Sequence, residues 1–371
     1  MIKKYKILIS GGGTGGHVFP AIAIANELKK RLPDVSVLFI GAKGKIEMSK
    51  VPEAGYPIES LWISGVQRNF NIKNLSFPLK LILSLLKSRK VIKKFKPDIA
   101  IGVGGYASGP ALKMAQKSGI PTLIQEQNSF PGITNRLLAK SVDKICVAYE
   151  GMDKYFDKSK IVLTGNPIRE EVIGINGKRN EALRFFDLST DKKTLLIIGG
   201  SQGAKSINES VDANLKLFVE NNIQIIWQTG KYYFDKAVDS QKKSGNKNIR
   251  VLEFINRMDL AFAAADIVVS RAGAISISEL TAVKKPVIFV PLPSAAEDHQ
   301  TKNALKLVNN EAAILIKDSE VKEKLGKTLI DLYNDENHIN ILKNNIGKMA
   351  IQNSAGKIVH EIIKLMEKVK S

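Results

Sequence analysis

A strand, a glycine turn, a helix and a proline-led strand follow one another twice along this chain. Ile7-Leu8-Ile9-Ser10 runs into Gly11-Gly12-Gly13-Thr14-Gly15-Gly16, and Leu195-Leu196-Ile197-Ile198 runs into Gly199-Gly200-Ser201-Gln202-Gly203. Further on, Pro97-Asp98-Ile99-Ala100-Ile101 leads through Gly104-Gly105 and a helical stretch to Pro121 and a new strand. Its counterpart, Ala265-Asp266-Ile267-Val268-Val269, leads through Arg271-Ala272-Gly273 and another helix to Pro286. An apolar run that ends in glycines and opens a helix is the first half of a βαβ unit. Two copies in 371 residues predict two Rossmann-like domains rather than one extended core.

Strands are expected at 6–10, 35–40, 98–103, 121–125, 144–148, 160–164, 194–198, 223–228, 250–254, 266–270 and 286–290. Most are unbroken apolar runs, the pattern of parallel strands covered on both faces. Helices are expected at 20–32, 107–118, 205–221 and 300–309. The fold class is therefore α/β with two doubly wound parallel sheets. The first domain spans residues 1–164, joined by a C-terminal helix at 353–371, and the second spans 165–352, with the linker near Gly165-Asn166-Pro167. The final helix carries Ile358, Val359, Ile362, Ile363, Met366 and Val369 on one stripe, which needs a partner.

A lone cysteine, Cys146, allows no intrachain disulfide. The apolar run after Lys6 is too short for a signal-peptide core. Residues 7–26 lack charge but contain five glycines and a proline, so they do not form a membrane span. The expectation is a soluble, cytosolic chain.

Gly11 to Gly16 satisfies G-x-G-x-x-G, but the next strand ends Phe39-Ile40-Gly41-Ala42-Lys43 without the acid a dinucleotide ribose needs. What survives is an anion cradle, backbone N–H groups beside a helix start. His17 opens that helix, placed for proton transfer or for a structural hydrogen bond. Further cradles are Gly199 to Ala204 and Gly273 to Glu279. Ser276 and Glu279 have capping-box spacing, the plainer explanation of that pair, while Glu279 also suits two ribose hydroxyls. No D-x-D, P-loop or G-x-S-x-G occurs, and His17, His299, His338 and His360 are scattered, so no metal site is expected.

These residues carry a resemblance to the MurG family of bacterial peptidoglycan N-acetylglucosaminyltransferases. The matching runs are Gly12 to Pro20, Gly104-Gly105-Tyr106-Ala107-Ser108-Gly109-Pro110, Glu126-Gln127-Asn128, Gly165 to Arg169, Gly199 to Ala204 and Asp298-His299-Gln300. They occur in the family's order; the local departure is Pro293 to His299. The resemblance implies a GT-B fold, two Rossmann-like domains facing a cleft, and no cofactor or metal. It implies UDP-GlcNAc as donor, held by Thr14, Gly15, Gly16, Asn128, Arg169, Ser201, Ile255, Ala274, Ile275, Ser276, Ile277, Ser278, Glu279 and Gln300. In this reading the backbone of Ile255 meets uracil, Glu279 the ribose, and Ser201 with Arg169 the diphosphate. Gly13, His17 and Tyr106 meet the acceptor, a MurNAc-(pentapeptide) pyrophosphoryl-undecaprenol, lipid I. The general base is His17 or Glu126. Another GT-B enzyme, a lipid glycosyltransferase or a UDP-GlcNAc epimerase, is the alternative.

The charge balance, 56 basic against 36 acidic residues, calls for an anionic partner. Between Glu59 and Asp98 there is no acid, and nine lysines and arginines crowd the interval. Only Phe70, Phe77 and Phe95 interleave them, so nucleic acid is not expected. Leu75, Leu79, Ile82, Leu83 and Leu86 recur at helical spacing beside Lys73, Lys80 and Lys87. An apolar stripe rimmed by cations suits an anionic membrane surface, and the expected location is the cytoplasmic face of the bacterial membrane. The competing reading makes the stripe ordinary core, above all at Ile82 and Leu86.

Overall fold

A computed structural model describes residues 4–65 and 76–368. The chain divides into two compact units, the first comprising residues 1–169 and 351–371 and the second residues 170–350. Gly165 to Arg169 thus stay with the first unit.

In the first unit, β1 (Lys6–Ser10), β2 (Ser36–Ala42), β3 (Ile58–Leu61), β4 (Ile99–Gly102), β5 (Thr122–Glu126), β6 (Lys144–Val147) and β7 (Ile161–Leu163) form one sheet in the order β3-β2-β1-β4-β5-β6-β7. Every pairing is parallel. The helices are α1 (Gly15–Arg31), α2 (Glu47–Glu53), α3 (Phe77–Phe95), α4 (Ser108–Lys117) and α5 (Ile133–Leu138), together with the last helix, α16 (Ser354–Lys368). Successive strand side chains leave opposite faces. Ile7 and Ile9 join the core under α1 and α16, while Leu8 joins that under α4. The C-terminal stripe buries Ile358, Val359, Ile362 and Met366 against the first unit; Val369 lies outside the described residues.

The second unit contains α6 (Glu170–Ile173), α7 (Arg179–Phe185), β8 (Thr194–Ile198), α8 (Lys205–Ala213), α9 (Leu215–Glu220), β9 (Gln224–Gln228), α10 (Phe234–Ser244), β10 (Ile249–Leu252), α11 (Met258–Ala264), β11 (Ile267–Ser270), α12 (Ala274–Ala282), β12 (Val287–Phe289), α13 (His299–Val308), β13 (Ile314–Leu315), α14 (Val321–Asn334) and α15 (Glu336–Lys348). Its parallel sheet runs β10-β9-β8-β11-β12-β13. Leu195 and Ile197 face one core and Leu196 and Ile198 the other.

Both sheets reverse direction of growth between their first and fourth strands, β1/β4 and β8/β11. The carboxyl ends of those strands are where open α/β sheets bind ligands. The glycine turns read from the sequence follow these four strands.

Candidate functional site

In the first unit the turn after β1 and the turn after β4 lie against each other. Gly105, at φ 85°, packs so closely that a Cβ would meet the carbonyl of Gly12. A Cβ on Gly104 would meet the His17 imidazole. Glycine is required at both positions by space as well as by backbone conformation. His17 Nδ1 pairs with Thr14 Oγ1 at 3.2 Å. The backbone N–H groups of His17 and Val18 donate to the Thr14 carbonyl, starting α1. Tyr106 is 49% exposed and covers Gly65. The Arg169 guanidinium stacks over Phe19 at 5.6 Å, beside the first turn of α1.

Glu126 ends β5 and is buried. Its carboxylate accepts from Asn128 N at 3.0 Å, Asn128 Nδ2 at 3.3 Å, Gly132 N at 3.1 Å and Asn135 Nδ2 at 2.9 Å. Burial pushes its pKa up, and these N–H donors pull against that rise. Below it lies a buried amide network. Gln125 Nε2 donates to Asn166 Oδ1 at 2.9 Å, Asn166 Nδ2 to Gln127 O at 3.1 Å, and Gln127 Nε2 to Val103 O at 2.9 Å. This network ties the loops after β4, β5 and β7 into one rigid edge.

In the second unit the loops after β8 and β9 cross. A Cβ on Gly203 would meet the Thr229 carbonyl, and one on Gly230 would meet that of Gln202. Gln228, at the end of β9, bridges the loops after β8 and β10, donating from Nε2 to Gly200 O and accepting the Ile255 N–H at Oε1, both at 2.9 Å. Arg271 donates to the carbonyls of Val290 and Pro291 and to Ser206 Oγ, and pairs with Asp318 at 2.5 Å. α12 opens at Ala274, with Gly273 at its N-cap. Ser278 Oγ donates to the Ala274 carbonyl at 3.0 Å. Gln300 Oε1 accepts the Leu292 N–H at 2.9 Å and so fixes the loop before α13. Ser201 is exposed, Ile275 and Ser276 are partly so, and Ile277 and Glu279 are buried.

Residues 7–147 match the glycosyltransferase family 28 N-terminal domain and residues 194–362 its C-terminal domain. A relative from Flavobacterium psychrophilum is 53% identical over 370 residues, covering 100% of both chains. It is named UDP-N-acetylglucosamine–N-acetylmuramyl-(pentapeptide) pyrophosphoryl-undecaprenol N-acetylglucosamine transferase. A Parabacteroides distasonis protein of the same name is 52% identical, over 99% of this chain and 100% of its own. The crystal structure of Acinetobacter baumannii MurG superposes with a TM-score of 0.77 at 29% identity, covering 97% of this chain and 99% of that one. The chain belongs to glycosyltransferase family 28.

Within this family 28 glycosyltransferase, the structure shows what several of the named residues already hold. The capping box is not formed, because Ser276 lies inside α12 rather than at its cap. Gly13, expected to face the acceptor, already donates its N–H to Glu47 Oε2 at 2.8 Å. The Ile255 N–H is committed to Gln228. Arg271 serves as a strut between loops. Sequence reasoning missed Glu47, Gln228 and Asp318, since none belongs to a recognisable motif. Among the described residues, no three His, Cys, Asp or Glu side chains gather as a metal site.

The apolar stripe is not core. Leu79, Ile82, Leu83 and Leu86 are 54%, 55%, 42% and 58% exposed, whereas Ser84 and Ser88 of the same helix are buried. Lys80 Nζ donates to Ser64 Oγ at 3.2 Å and sits 5.5 Å from the Trp62 ring centre, while Lys87 Nζ donates to Ser60 O at 2.6 Å. Lys73 and Leu75 lie outside the described residues. No helix among the described residues is long and apolar enough to cross a membrane.

Proposed function

We propose that this chain transfers N-acetylglucosamine from UDP-GlcNAc to the muramyl 4-hydroxyl of MurNAc-(pentapeptide) pyrophosphoryl-undecaprenol, making lipid II. The observation that carries the reading is the full-length identity with the Flavobacterium transferase. The acceptor oxygen attacks the anomeric carbon as the bond from that carbon to UDP breaks, inverting the centre to a β-1,4 linkage. With Nδ1 engaged by Thr14, the hydroxyl proton passes to His17 Nε2. Glu126, whose oxygens already hold four N–H donors, positions Asn128 rather than taking that proton.

The second unit holds the donor. Uracil meets the Ile255 carbonyl, Glu279 takes the ribose hydroxyls, and the turn at Ser201 with the start of α12 receives the diphosphate. Ala274 to Ser278 and Gln300 complete the phosphate and sugar subsite. Charge developing on UDP is met by backbone N–H groups, helix dipoles and Arg169 in place of a metal ion. In the first unit Thr14, Gly15 and Gly16, donor-site positions by the resemblance, also face the acceptor's diphosphate, and Tyr106 meets the acceptor. The exposed face of α3 rests on the anionic cytoplasmic surface of the membrane, where a lipid-linked acceptor resides. UDP release from UDP-GlcNAc, measured with and without a soluble lipid I analogue, tests this reading. Release is expected only with the acceptor; equal release in its absence contradicts it.

A further inference from the structure

We propose that Glu47 is a positioning residue that sets the catalytic loop of the first unit, an inference that rests on His17 acting as the base of the transfer. Glu47 is fully buried at the start of α2. Its Oε2 accepts the Gly13 N–H at 2.8 Å and its Oε1 the Ala42 N–H at 2.9 Å. A methyl group on Gly12 would meet its carboxylate, and one on Gly41 would meet its Cγ. One side chain thus clamps the end of β2 to the turn after β1.

That turn delivers the reactive residues. Thr14 follows Gly13 directly, its carbonyl starts α1, and its hydroxyl meets His17 Nδ1. On the far side the Gly12 carbonyl bears on Gly105, and the imidazole bears on Gly104. A shift of Gly12 and Gly13 therefore moves Thr14, which holds the ring, and the Gly105 turn beside it. Glu47 also takes an N–H that a Rossmann turn ordinarily offers to phosphate. Its negative charge turns anions away from Gly13 and toward the start of α1, at Thr14 to Gly16.

The test compares E47Q, E47D and G12A in the parent and in an H17A background. Each is followed by kcat, by KM for UDP-GlcNAc and for a soluble lipid I analogue, and by NMR of the ¹⁵N-labelled His17 ring, assigned by its loss in H17A. E47Q and G12A should lower kcat about 10–100-fold, leave donor KM within about twofold and shift the His17 Nδ1 resonance. E47D should recover part of the loss. In the H17A background E47Q should add no more than about a twofold loss. An unshifted imidazole, a raised donor KM, or the same loss in both backgrounds would overturn the proposal. G12A presses on the carboxylate without removing it, so the test stands if E47Q does not fold. Failure of the parent to transfer GlcNAc would refute the function instead, and the imidazole signal would still decide the role of Glu47.

Discussion

Ser276 lies inside α12 rather than at its N-cap, so Glu279 does not complete a capping box with it. Glu279→Ala should therefore raise the KM for UDP-GlcNAc by a factor equivalent to about 1–3 kcal/mol while acceptor KM holds. Unchanged donor kinetics in a folded variant would leave Glu279 a packing residue. His17→Ala should lower kcat about 10²–10⁴-fold with donor affinity kept; a change in both KM values with kcat preserved would make the ring a loop support. At this scale the sequence exposed residues that sit in motifs, such as His17 in its glycine run. It concealed those whose role depends on a distant partner. Glu47 reaches the β1 turn only after β2 folds beside β1, and Gln228 reaches Ile255 only once β10 pairs beside β9.

α3 reverses the usual helix pattern, burying serines and showing leucines to solvent. Ser84 Oγ donates to the Trp62 carbonyl at 3.2 Å, and the small side chains let α3 lie close to its neighbours. Replacing Leu79, Ile82 and Leu86 with serine should weaken binding to anionic vesicles at least about tenfold, given about 1.5–3 kcal/mol for each buried Leu or Ile. Activity on a soluble acceptor should survive; vesicle binding equal to the parent's would remove α3 from the membrane surface. Lys285, between α12 and β12, supplies a pH test. It donates to the Ala265 carbonyl at 2.6 Å, and burial pushes its ammonium down to about 8. Below that pH both folded and unfolded chains carry the proton, and the native state bears the desolvation cost in full. As pH rises from about 8 toward the unfolded value near 10.4, the native state alone releases the proton and stability increases. Lys285→Met should abolish that rise in denaturant midpoints; an identical pH profile would show that Lys285 is well solvated.

The elements themselves were legible where they are long and buried. β3 escaped because Ile58–Leu61 is short, polar and at the sheet edge, and β13 spans only Ile314–Leu315. α1 starts at Gly15, ahead of the expected Pro20, so Pro20 lies inside the helix as its sixth residue and forgoes the bond to the Gly16 carbonyl. The expected helix at 205–221 breaks at Asn214, whose side chain donates to the Ser210 carbonyl.

For the whole molecule, the doubled glycine turns foretold two parallel sheets of like strand order, because each βαβ unit is a local pattern. α16 belongs with the first unit, where it was expected, although its apolar stripe alone shows that a helix is buried and not which core receives it. If helix starts and Arg169 neutralise the leaving UDP, transfer should persist in EDTA; complete loss restored by Mg²⁺ would contradict a metal-free reaction. The central claim is the bond that is made. The most direct measurement is the structure of the product formed from UDP-GlcNAc and a soluble lipid I analogue, by mass spectrometry and proton NMR. The account predicts an acceptor heavier by one N-acetylhexosamine, linked β to the muramyl 4-oxygen, with UDP released in equal amount. An unmodified acceptor alongside UDP-GlcNAc epimerised at C2 would contradict it.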